Sequence, residues 1–145
     1  MTNAPSIHAS AVLIGAKAVL IRGPAGSGKS RLVWQILEAA QSGALPFARL
    51  VGDDRLHLEA HHGRLLVRPA PALAGLLEMR GLGIRKMPHE SVAAVSVVVD
   101  LAAADAERLP VAEASGTTID GVRLPRLAFA AGSEPLHPLL AFVRT

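Results

Sequence analysis

The stretch "AVLIRGPAGSGKSRLVWQILEAA" constrains this chain more than any other. An apolar run leads into a loop holding three glycines, and a helical pattern leaves it. Gly23-Pro24-Ala25-Gly26-Ser27-Gly28-Lys29-Ser30 satisfies G-x-x-x-x-G-K-[ST] at every position, with the strand before and the helix after that the pattern requires. Its glycines allow a tight turn that bares successive backbone N–H groups. Those donors and the following helix N-terminus form an anion cradle. Lys29 brings a mobile positive charge toward the outer phosphates of a nucleotide triphosphate, and the Ser30 hydroxyl is placed to ligate Mg²⁺. A kinase, a hydrolase and a switch all use such a loop, so the rest of the chain must supply a base, a second metal ligand and charge for the transition state.

The flanking segments predict an α/β fold: a mixed sheet containing the phosphate loop, with few covering helices. "HASAVLI" and "AVLIR" read as strands around a turn at Gly15–Lys17. Leu32, Val33, Ile36, Leu37 and Ala40 mark one face of a helix, which Gly43 and Pro46 end. "ARLVGDDRLHLEA" is strand-like on both sides of Asp53–Asp54, and "HHG" turns it into "RLLVRPA". "PALAGLLEMRGLGI" fits a short helix or a strand, ending in a loop at Gly81–Gly83. "SVAAVSVVVDLA" is the best candidate for a buried central strand. "AAADAERL" reads as a short helix or turn. Asp120–Gly121 signals a hairpin, and "EPLHPLLAFVRT" a closing helix.

Composition narrows the partners. The 145 residues fit a single domain spanning 1–145, and a chain that is 50% hydrophobic is not a disordered one. No apolar run reaches the roughly 20 residues that span a bilayer, and "MTNAPSIHAS" lacks the basic and apolar regions of a signal peptide. The expectation is a cytoplasmic protein with no membrane partner. The absence of cysteine excludes disulfides and thiolate metal sites. The net charge of +3 is mild, its arginines are scattered, and Trp34, Phe47, Phe129 and Phe142 make no platform for bases. Nucleic acid is therefore not an expected partner. His57, His61, His62, His89 and His137 show no metal-ligand spacing.

Phosphoryl transfer needs acids to hold magnesium and to position the nucleophile. "LVGDDRL" offers Asp53 and Asp54 after an apolar strand. Neighbours on a strand face opposite ways, so one carboxylate can face a metal and the other an incoming hydroxyl, or a bend can turn both toward the phosphates. A polar turn beside Gly52 is the competing reading. In "LLEMRGLGI", Glu78 is either a magnesium ligand or half of a solvated ion pair with Arg80.

Taken together, "GPAGSGKS", "LVGDDRL" and above all "LLEMRGLGI" resemble the catalytic domain of bacterial HPr kinase/phosphorylase. The likeness runs from about His8 to at least Pro125. It is nearest to the short alphaproteobacterial form that lacks an N-terminal domain. The resemblance implies an HPr kinase / PEP carboxykinase-like fold, with ATP and Mg²⁺ as cofactors. It implies phosphorylation of a serine on the phosphocarrier protein HPr, with possible reverse phosphorolysis, in control of a phosphotransferase system and of carbon and nitrogen metabolism. The family forms hexamers, which implies a homo-oligomer.

It also implies roles. His8 lies 15 residues ahead of Gly23, where the family has a histidine. Asp54, the second acid of the pair, is the implied base, with Asp53 supporting the metal or the geometry. Glu78 is the implied second magnesium ligand. Arg108, in "AERLP", matches the family's catalytic arginine, with Glu107 where aspartate is usual. Two departures stand out. The segment around "QSGALPFA" is longer than usual, and Gly132-Ser133 replaces a Gly-Arg pair tied to the reverse reaction. Two rival readings share the loop: a small-molecule kinase or NTPase, with "RGLGIRKMPHE" as a short lid, and a nucleotide-dependent regulatory module without turnover.

Overall fold

The strands expected ahead of the glycine loop form a hairpin. β1 (Ala9–Ile14) and β2 (Lys17–Arg22) pair antiparallel from Ala9↔Arg22 to Ile14↔Lys17. Gly15 turns the chain between them at φ 63, a left-handed conformation that glycine adopts without steric cost. In this computed structural model, which describes residues 5–145, β2 runs into the glycine loop and α1 (Lys29–Gln41) leaves it. α1 buries Leu32, Val33, Ile36 and Ala39, so the stripe ends one residue before the expected Ala40, which is only partly covered.

The chain then continues through β3 (Ala48–Gly52), β4 (Leu56–His61), β5 (Arg64–Pro69), β6 (Leu76–Met79), β7 (Gly83–Lys86), β8 (Ala93–Asp100), β9 (Gly116–Ile119), β10 (Val122–Ala128) and α2 (Leu136–Arg144). The open choice for "LLEMRGLGI" resolves as strand: β6 and β7 are a small antiparallel hairpin separate from the main sheet. "AAADAERL" forms turns rather than a helix. The hairpin expected at Asp120–Gly121 joins β9 to β10, with φ 49 and 81 at those two residues, as a type I′ turn requires.

The main sheet has eight strands, running β3-β1-β2-β8-β10-β9, with β5 paired to the start of β8 and β4 to β5. β8 is parallel to both β2 and β10, while β1 is antiparallel to both β2 and β3. Hence β3, β2, β8 and β10 all point the same way. Their carboxyl ends, at Gly52, Arg22, Asp100 and Ala128, lie along one edge, and β1 begins there. In open α/β sheets ligands bind outside the carboxyl ends of the strands.

The run expected to be a central strand is β8, covered on both faces. Its register against β2 shifts between Ala18↔Val95 and Val19↔Val97, stepping over Ser96. Past that step Val97 and Val99 face α1 and α2, with Val12, Ile21, Leu50 and Leu139. Val98 faces the other way, toward Leu56, Leu65 and Val67 of the β4–β5 hairpin. One face of the sheet thus carries the helices and the other a hairpin. This is a mixed α/β architecture with two helices, and no helix of the described residues is long and apolar enough to cross a membrane.

Candidate active site

The glycine loop sits at the end of β2. Gly26 and Gly28 take φ 80 and 101, conformations that bare consecutive N–H groups and that a side chain would strain. Gly28 caps α1, and no acidic residue occupies the first turn, which leaves the helix's positive end facing the loop. The Lys29 ammonium donates to the carbonyls of Gly23 (2.7 Å) and Pro24 (3.2 Å). Gly23 is packed so closely that a Cβ there would lie 3.1 Å from the Leu101 carbonyl oxygen. The Ser27 hydroxyl is buried without a hydrogen-bond partner among the described residues.

β3 stops at Gly52, so Asp53 and Asp54 lie in a bend and not on a strand. That bend separates them. Asp53 turns inward and is 4% exposed. Its carboxylate accepts from the Ser10 hydroxyl at 2.6 Å, from the Ser30 hydroxyl at 2.8 Å to each oxygen, and from the Glu78 backbone N–H at 3.3 Å. Asp54, at φ 75, is a non-glycine residue in the left-handed region and turns outward, with His8 Nδ1 3.5 Å from its carboxylate and both side chains exposed. Strained backbone of this kind persists only where the surroundings enforce it.

One carboxylate points in and one out, but strand alternation is not the cause: the pair lies in the bend beside Gly52, with Asp54 in the left-handed region. Ser30, Asp53, Glu78, Asp54 and His8 form one contiguous set drawn from α1, the end of β3, β6 and the lead into β1. The Glu78 side chain is exposed. Arg108 lies in the connection from β8 to β9, exposed and without a hydrogen bond or ion pair among the described residues.

Sequence reasoning missed two features. Ser10, fully buried, is the small polar residue facing inward from an otherwise apolar strand; its place in "HASAVLI" was the available signal. The second is a row of charges at the ends of β2, β8 and β10. Arg22 donates to Asp100 through Nε (2.7 Å) and Nη2 (2.8 Å), and Arg126 Nε donates to the same carboxylate at 2.5 Å. Arg126 also grips both oxygens of Asp105 at 2.9 Å and the Ala114 carbonyl at 3.0 Å. Burial pushes the Asp100 carboxyl up, but the hydrogen bonds and charges of Arg22 and Arg126 outweigh it and hold its pKa below the ordinary carboxylate value. Arg126 at a buried-parity position of β10, after Val122 and Leu124, was the sequence clue.

The G-x-x-x-x-G-K-[ST] pattern implies a divalent cation beside the loop serine. The donors present suit one: the Ser30 hydroxyl directs its proton to Asp53, leaving its oxygen lone pairs free, and oxygen ligands are what Mg²⁺ takes. Among the described residues no three His, Cys, Asp or Glu side chains cluster as a metal cage.

These features define a phosphate-loop α/β domain with an acid buried behind its loop serine. Comparison with known proteins makes this particular. The chain is 39% identical over 80 residues to the HPr kinase/phosphorylase of Streptococcus thermophilus, a match covering 54% of this chain and 24% of that protein. It is 30% identical over 95 residues to that of Clostridium tetani, covering 66% of this chain and 28% of the relative. The chain thus spans about a quarter of the length of these relatives. The solved HPr(Ser) kinase/phosphatase of Coxiella burnetii superposes with a TM-score of 0.76 at 21% identity, over 97% of this chain and 95% of that one. No family model matches. The chain is a sequence relative of HPr kinase/phosphorylases over half its length and has the fold of one over nearly all of it.

Proposed function

We propose that the chain is an ATP- and Mg²⁺-dependent protein-serine kinase acting on an HPr-like phosphocarrier. The observation that carries this reading is the division of labour at Asp53–Asp54: one acid buried against the loop serine, the next exposed beside a histidine at the same sheet edge. N–H groups of residues 26–30 bind the β-phosphate. Lys29 leaves the carbonyls of Gly23 and Pro24 to meet the outer phosphates. Ser30 and Glu78, with phosphate oxygens, would hold the cation, which when bound offsets charge on the transferring group. The Asp53 carboxylate fixes the Ser30 hydroxyl and, by accepting the Glu78 backbone N–H, holds β6 beside the loop.

Asp54 orients the substrate serine hydroxyl. As that oxygen bonds to the γ-phosphorus in line with the departing ADP, Asp54 takes its proton, with His8 holding the carboxylate's direction. Arg108 neutralises charge on the phosphoryl oxygens. Asp54, His8 and Glu78 are exposed at the sheet edge, where a side chain presented by another protein can reach them. Leu82 and Ile84, 55% and 61% exposed, give the β6–β7 hairpin the apolar surface that a homo-oligomer would cover.

The test is Asp54→Asn. Asparagine tolerates the left-handed conformation, so the fold and ATP binding are retained, while transfer of labelled phosphate to HPr falls about 10²–10⁴-fold. Transfer near the wild-type rate removes Asp54 as the base, and transfer to a metabolite but not to HPr redirects the reading to a small-molecule kinase.

A further inference from the structure

The charged row beside the glycine loop does more than close the sheet edge. The connection 101–115 from β8 to β9 starts tightly held. Leu101 is buried and donates its N–H to the Arg22 carbonyl at 2.9 Å, and Ala103 N–H bonds the Phe129 carbonyl at 2.9 Å. Beyond Ala106 the chain is exposed through Glu113, with Leu109 at 75% and Val111 at 49%. This arc has local turn bonds at its two ends, Ala106 N–H to Ala103 and Ala114 N–H to Val111. Among the described residues, the side chain that hydrogen-bonds both its ends to the sheet is Arg126, which holds Asp105 just before the arc and the Ala114 carbonyl just after it. Arg126 is only 12% exposed and is itself braced on Asp100, which also takes Arg22, the residue preceding Gly23. An unbroken series of charged contacts therefore links the foot of the glycine loop to both feet of the arc that carries Arg108.

We infer that Arg126 is a positioning residue: by gripping Asp105 and the Ala114 carbonyl it fixes the arc 106–113, and Arg108 with it, against the phosphate-loop end of the sheet. Arginine's planar fork makes this two-ended grip where lysine would not. What Arg108 does once held rests on the proposed kinase reading; the grip itself does not.

The lever is Asp105, which is exposed, so its replacement leaves Arg126 paired with Asp100 and the core intact. In the full chain, Asp105→Asn should speed tryptic cleavage at Arg108–Leu109 about fivefold through easier local opening, with cleavage elsewhere unchanged. It should also lower kcat for phosphate transfer about tenfold without moving KM for ATP, as misplacement of a group acting only in the transition state does. Asp105→Glu should restore both. Unchanged cleavage at Arg108 in Asp105→Asn, a general rise at all sites, or no restoration by glutamate overturns the inference. If the wild type transfers no phosphate, or if cleavage rises while kcat stays, the role of Arg108 in transfer falls and the cleavage rates still decide the grip.

Discussion

Replacing Asp53 by asparagine removes the buried charge behind Ser30 while keeping the side chain's shape. Asp53 is 4% exposed, and its carboxylate accepts from two hydroxyls and one backbone N–H. Hydrogen bonds to a charged acceptor are worth about 1.5–3 kcal/mol each. Asparagine keeps one acceptor oxygen, so it retains part of this set, but its N–H₂ group must face either the Glu78 N–H, which can only donate, or the Ser10 hydroxyl, which must then turn round to accept. Against that loss stands the relief of burying a charge, which costs several kcal/mol in an unpaired site. Three donors converge on Asp53, so the loss wins by about 2–3 kcal/mol. At about 3 °C per kcal/mol for a chain of this size, the melting temperature falls by about 6–9 °C.

Urea and thermal unfolding without nucleotide measure this. Ser10→Ala, which deletes one donor to the same carboxylate, should cost about 1–2 kcal/mol. The double variant should cost less than the sum by about 1 kcal/mol, since the two share one interaction. An Asp53→Asn protein as stable as the wild type, or more so, would refute the reasoning. The burial cost of the carboxylate would then exceed what its three donors return, and the acid would be there for the cation alone.

Asp100→Asn leaves Arg22 and Arg126 facing a neutral group. The folded-state pKa of Asp100 lies below 3.8, so its contribution is present at neutral pH and is lost as pH falls through that lowered pKa. The stability gap between wild type and variant should therefore be full above about pH 5 and narrow below about pH 4, and a gap independent of pH would show that the pair contributes through packing alone. Gly23→Ala would place a Cβ 3.1 Å from the Leu101 carbonyl and 3.2 Å from its Cβ. Overpacking of this kind costs about 1–3 kcal/mol, and unchanged melting would mean that the loop yields without cost.

The chain's local chemistry is written in short segments, and those were legible without coordinates. The glycine loop with its strand and helix, the hairpin turn at Asp120–Gly121 and the apolar strand that became β8 each depend on residues within about ten positions of one another. Turn conformations, cap geometry and side-chain periodicity are settled at that range. The acid pair itself stands in the sequence, but not its division. That Asp53 goes in and Asp54 out follows from β3 stopping at Gly52 and from φ 75 at Asp54, which the packing around the bend enforces and no periodicity announces. The meeting of Glu78 N–H with Asp53, and of Arg126 with Asp100, Asp105 and Ala114, joins residues 12 to 26 positions apart. Those contacts exist because β2, β8 and β10 lie side by side in parallel while β6 folds back beside the end of β3. Strand order of that sort depends on which buried faces fit together across the whole sheet, a property of the packed chain and not of any window along it.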